Sequence, residues 1–138
     1  LGALFGKVSM PAEVRREVLP HRGLTDESAI LAAQAAGWLT EIGPTPDGLV
    51  PPDLDEGEAA CIRIALASPM PCLLLMDDRA GRATATEHGL PLAGTAAIIG
   101  MAKTRGLIAS AREVFARLHG SDFRISVQVI ETVLRRVP

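Results

Sequence analysis

A chain of 138 residues with 48% apolar and 22% charged side chains has a globular composition and is long enough for one buried core. Aromatics are 3%, with no Tyr, which excludes a base-stacking platform, and no apolar run approaches the roughly 18 residues of a membrane helix. The net charge of −2 hides a segregation: residues 1–100 carry seven Lys/Arg against thirteen Asp/Glu, and residues 101–138 carry seven against three.

In chain order, Leu1 to Phe5 reads as the end of a helix and Lys7 to Met10 as a short strand. Pro11 stands where a helix begins, and Val14, Val18 and Leu19 follow at helical spacing. Thr25 and Asp26 offer caps for an Ala-rich helix to Ala36, closed by Gly37, and Trp38 to Ile42 reads as a second strand. Residues 43–52 hold four prolines and two glycines and form the clearest loop.

Asp55 to Ala67 is an amphipathic helix stopped by Ser68-Pro69. Cys72 to Met76 is too short for a helix and uniformly apolar, which predicts a strand buried on both faces in a parallel sheet. A helix from Arg79 to His88 and a strand from Leu90 to Ala93 follow. Three helices end the chain: Thr95 to Thr104, Ser110 to His119 with a Ser110…Glu113 capping box, and Ser126 to Arg136. Strands alternating with helices predict an α/β fold with a mainly parallel sheet.

Asp77 and Asp78 are the most informative residues. They end a buried strand at its carboxyl end, where open α/β sheets place their ligands. Adjacent carboxylates repel unless a cation or hydrogen-bond donors offset the charge. Capping of the next helix explains one of the two well and both poorly. Asp55 and Glu58, spaced D-x-x-E before an apolar run, read locally as a capping box, and Glu17 reads as a surface acid. Arg79, Arg82 and Lys103 are candidates for phosphate contacts or for surface ion pairs. His21, His88 and His119 are isolated, and Met70, Met76 and Met101 read as core filling. Cys61 and Cys72 are far from metal-finger spacing and read as buried thiols of a reducing, cytoplasmic compartment.

Together the pieces resemble a family. Leu54-Asp-Glu-Gly-Glu-Ala-Ala-Cys-Ile62 and Leu74-Leu-Met-Asp-Asp-Arg-Ala-Gly-Arg82 look like the PIN-domain superfamily. So do Gly89-Leu-Pro-Leu-Ala-Gly-Thr95, Ala102-Lys-Thr-Arg-Gly-Leu-Ile108 and Phe123-Arg-Ile-Ser126. The branch resembled is one of predicted nucleic-acid-binding proteins related to VapC-type toxin nucleases. The resemblance implies a single PIN-like domain over residues 1–138, a three-layer α/β/α sandwich. It implies metal-dependent cleavage of RNA, with Mg²⁺ or Mn²⁺ held by Glu17, Glu58 and Asp78, and with Asp77 as the alternative to Asp78. It further implies an RNA substrate, an antitoxin protein or a second copy of the chain as partners, and no membrane. PIN domains open on a strand ending in an Asp, and residues 1–138 show no such strand, so a domain lacking it is expected. A PIN-like module that binds nucleic acid or protein without cleaving is the rival reading.

Overall fold

The computed structural model describes residues 1–20, 23, 25–48 and 50–138. His21 and the side chain of Thr25, both singled out above, lie outside the described residues. The described chain is an α/β fold that divides into two compact units, 1–92 and 93–138.

The first unit opens with helix α1 (Gly2–Phe5) and strand β1 (Val8–Pro11). Gly2 lets α1 lie against Trp38, because a Cβ there would come within 2.7 Å of the Trp38 ring. Pro11 ends β1 and stands before α2 (Ala12–Val18), a position that needs no N–H donor. Helix α3 (Thr25–Ala35) gives way at Gly37, whose φ of 81° suits glycine, and strand β2 (Leu39–Ile42) follows. Strands β1 and β2 pair in parallel, Val8 opposite Leu39 and Pro11 opposite Ile42, as the alternating pattern predicted.

Helix α4 (Glu56–Ala67) begins in a complete capping box. The Glu58 N–H donates to Asp55 Oδ1 at 2.8 Å, and the Asp55 N–H donates to Glu58 Oε2 at 3.4 Å. Its buried face carries Ile62 and Ala65 into a core shared with Leu74, Met76 and Ala85. Strand β3 is shorter than expected, spanning only Leu74–Leu75, and the run from Cys72 to Met76 is not buried on both faces, since Leu73 is 45% exposed. The apolar run is read correctly as extended chain, but hydrogen bonding sets the strand's length. Leu74 N–H donates to the Pro91 carbonyl, next to β4 (Leu92–Ala93), which pairs with β3. Helix α5 (Arg79–Glu87) lies between them in sequence.

The strands therefore fall into two pairs, β1 with β2 and β3 with β4. Val8 N–H faces Trp38 O, and residues along a parallel ladder alternate between its two neighbours. Ser9 of β1 and Leu75 of β3 accordingly turn their backbone groups away from their own partners. Among the described residues no strand joins the two pairs along these edges.

The second unit contains α6 (Thr95–Thr104), α7 (Ala111–His119) and α8 (Val127–Arg136). Ser110 and Ser126 cap α7 and α8, accepting from the Glu113 and Val129 N–H groups. Ile99, Ala111 and Phe115 form a separate core, covered by Ile130, Val133 and Leu134 of α8. Met76 fills core as expected, whereas Met70 is 71% exposed beyond the end of α4.

The cap of α4 gives a direct test. Asp55→Ala removes the acceptor for the Glu58 N–H and should cost about 1 kcal/mol of stability in denaturant unfolding. Asp55→Asn keeps an acceptor at the same place and should cost less than half of that. Equal losses in the two variants would show that the cap is not what Asp55 contributes.

Candidate metal centre

The carboxylates gather in one cleft of about 730 Å³ within the first unit. Its walls are Ser9, Met10 and Pro11 of β1 and Leu74 to Met76 of the β3 segment, so it lies between the two strand pairs. Glu17 from α2, Asp55 and Glu58 from the start of α4, and Asp77 and Asp78 from the end of β3 all line it.

Each acid is placed by a local device. Asp78 caps α5, its Oδ2 accepting from the Gly81 N–H at 3.0 Å, which is the capping role open to one member of the Asp pair. Gly81 also lets α5 approach α4: a Cβ there would lie 2.5 Å from Met76 Sδ and 3.4 Å from Glu58 Cδ. Gly57 does the same for α2, since its Cβ would lie 3.0 Å from Glu17 Oε2 and 3.1 Å from Val14 Cγ2. The glycines of the D-E-G-E and D-D-R-x-G-R segments thus stand where acids from different elements draw close. Their part is invisible in local sequence, because it depends on which helix lies opposite.

Electrostatics tie the acids together around Glu58. Burial pushes its carboxyl above the usual carboxylate range, and the charge of Asp55 adds to the effect. The charges of Asp78 and Glu17 push the same way, against a lowering by the Asp55 N–H. Nearby cations are turned elsewhere: Arg15 pairs with Glu41 at 3.3 Å and Arg16 with Glu56 at 3.8 Å. Among the described residues Glu17, Glu58 and Asp78 have no ion pair.

Other expected contributors are placed differently. Arg82 Nη1 donates to the Met76 carbonyl at 2.9 Å, which ties the guanidinium to the backbone leading to Asp77. Arg79 is exposed on the first turn of α5, and Lys103 belongs to the second unit. The rings of His88 and His119 are bonded to the Thr84 and Ile125 carbonyls. Cys61 and Cys72 are half-buried rather than buried. Cys61 lines the cleft, and burial with the surrounding acids pushes its thiol up to about 11, so it is protonated at neutral pH and a poor metal ligand.

Residues 1–138 match the family model DUF3368, a PIN domain, over their whole length. The chain belongs to the PIN-domain family. No curated protein and no solved structure matches it.

This PIN domain is a nuclease-like module of a family that generally uses divalent metal ions. Its cleft offers carboxylate oxygens, the ligand type hard divalent cations prefer, and the charges of Asp55, Asp78 and Glu17 that add to the effect of burial on Glu58 are of the kind a cation offsets. In donor chemistry the residues fit such an ion. Among the described residues, however, no three His, Cys, Asp or Glu side chains converge in a metal-holding arrangement. None of the helices in the described chain is long and apolar enough to cross a membrane.

The raised Glu58 carboxyl has a pH signature. A group that takes up its proton more readily in the folded than in the unfolded state lends stability while protonated. That stability falls as pH rises from the unfolded value near ~4.3 through the raised folded value. Glu58→Gln keeps a side-chain acceptor for the capping box and removes the charge. In EDTA, wild type should lose stability relative to Glu58→Gln as pH climbs from about 4 to 7. Parallel pH profiles would contradict the crowding of charge at Glu58.

Proposed function

We propose that this PIN domain is a metal-dependent endoribonuclease whose ion is held by Glu17, Glu58 and Asp78. The observation that carries this reading is that these three acids, from three separate elements, line one cleft without ion-pair partners among the described residues. Asp77 lines the same cleft beside Asp78 and is the alternative ligand.

A bound Mg²⁺ or Mn²⁺ supplies hydroxide near neutral pH and neutralises charge on the phosphate under attack. The chain's own residues hold the donors in place. Glu58 is fixed at the third position of α4 by the capping box, and Asp78 spends Oδ2 on Gly81. The open edges of β1 and β3 are where an extended strand bearing one more Asp would lie in this reading, adding a donor to the set. Arg79, exposed on the first turn of α5 next to Asp78, is the candidate for steadying the RNA backbone. A toxin role, with an antitoxin as partner, extends the reading and rests on the family resemblance alone.

The rival reading, a module that binds without cleaving, is favoured by one observation, the lack of a converged three-ligand group among the described residues. Cleavage separates the two. Single-stranded RNA should be cut in Mg²⁺ or Mn²⁺ and spared in EDTA. Asp78→Asn keeps a capping residue and so the fold, yet should reduce cleavage by more than the roughly 10- to 100-fold that loss of a supporting group around a metal costs. Asp77→Asn should be milder. An absence of cutting across varied RNAs and both metals, by the chain and by forms extended at its N-terminus, would move the assignment to the binding module.

A further inference from the structure

The segment that carries the Asp pair is gripped from the start of α5. The Asp78 carbonyl accepts from the Arg82 N–H at 2.9 Å, and Asp78 Oδ2 accepts from the Gly81 N–H at 3.0 Å. Two residues earlier, the Met76 carbonyl accepts from Arg82 Nη1 at 2.9 Å. Asp77 therefore lies between two points held by residues 81 and 82. The Met76 oxygen belongs to the planar peptide unit that ends at the Asp77 nitrogen, so holding that oxygen limits how the Asp77 backbone can turn. Gly81 permits the close approach, since a Cβ there would lie 2.5 Å from Met76 Sδ.

Local rules do not account for a cation at this place. Arg82 is the fourth residue of α5, near the helix end whose partial positive charge disfavours cations. Among the described residues it is in no ion pair, so its charge does not answer an acid. Met76, Asp77 and Asp78 all line the cleft, and Arg82 is not among the lining residues. It bonds to the wall of the cleft without forming part of it. The guanidinium charge makes that bond to a carbonyl stronger than one from a neutral donor.

We propose that Arg82 is a positioning residue for the cation site: its bond to the Met76 carbonyl sets the turn that presents Asp77 and Asp78 to the cleft. The inference rests on the metal-dependent reading above and deepens it by naming a residue that acts through the backbone, touching neither ion nor RNA. Supports of this kind matter because a ligand left free to turn has to be ordered when the ion binds.

Positioning and charge alone predict opposite signs. Removing the positive charge of Arg82 leaves the surroundings of the acids more negative, which by itself strengthens attraction for a divalent cation. Removing a support weakens binding. The direction of the change therefore separates the two effects.

The test is titration of the full chain with Mn²⁺ by isothermal calorimetry, without RNA, together with thermal unfolding in EDTA. Arg82→Met keeps the apolar stem and removes both the donor and the charge. It should weaken Mn²⁺ binding by about 10- to 100-fold, the cost of losing a supporting group around a metal, while the fold is retained. Arg82→Lys keeps a charge and a donor and should fall between Arg82→Met and wild type. Asp77→Asn with Asp78→Asn marks the site and should lose the binding event. Affinity unchanged or raised in Arg82→Met, while the doubly substituted protein loses the ion, overturns the positioning role and leaves the cation site standing. No Mn²⁺ binding by wild type, or binding that the double substitution leaves intact, overturns the metal reading and the inference with it. If Arg82→Met does not fold, Arg82→Gln is measured in its place. Loss of the fold in both assigns Arg82 to stability and overturns the inference.

Discussion

The site depends on negative charge being tolerated at helix beginnings. Asp55 and Glu58 sit at the start of α4, and Asp78 at the start of α5, each accepting from a backbone N–H there. The partial positive charge of a helix N-terminus makes those positions favourable for carboxylates. Two helices therefore hold acids that would otherwise repel one another, and Glu17 joins them because Gly57 leaves room. The helices offset the repulsion only in part. Burial first, and then the charges of Asp55, Asp78 and Glu17, still push the Glu58 carboxyl upward. A cap that also faces a cleft is thus held by the fold and left under strain of charge, the condition in which a divalent cation has most to contribute.

The second constraint is the separation of the strand pairs. Sheets of this kind are ordinarily continuous and covered by helices on their faces. Here β1 and β3 border a cleft, and Leu73 and Ile42 are exposed. Unpaired strand edges beside apolar side chains are costly in water and invite an added strand. Glu17, Glu58 and Asp78 line this same cleft.

Much of this was legible in the sequence because it is local. The D-x-x-E spacing fixed the α4 cap, Pro11 and Gly37 marked helix boundaries, and the Asp pair after an apolar run marked the strand's end. The family resemblance, carried by ordered motifs, anticipated the PIN domain. What escaped notice depends on partners distant in the chain. The run from Cys72 to Met76 is apolar throughout, but its strand stops at two residues and Leu73 stays exposed. Met70 resembles Met76 in type and differs wholly in burial. The placing of Glu17 beside Gly57 and of Gly81 beneath Glu58 follows from helix packing, which no spacing along α2 or α5 encodes.

The central claim is that Glu17, Glu58 and Asp78 form one cation site. Anomalous diffraction from crystals soaked in Mn²⁺ tests it most directly. The account predicts a single strong peak in the cleft, within ~2.0–2.6 Å of Glu58 and Asp78 carboxylate oxygens and with waters completing the shell. It also predicts loss of that peak in Glu58→Gln. Mn²⁺ bound away from these acids, or an empty cleft in crystals of an RNA-cleaving protein, would contradict it.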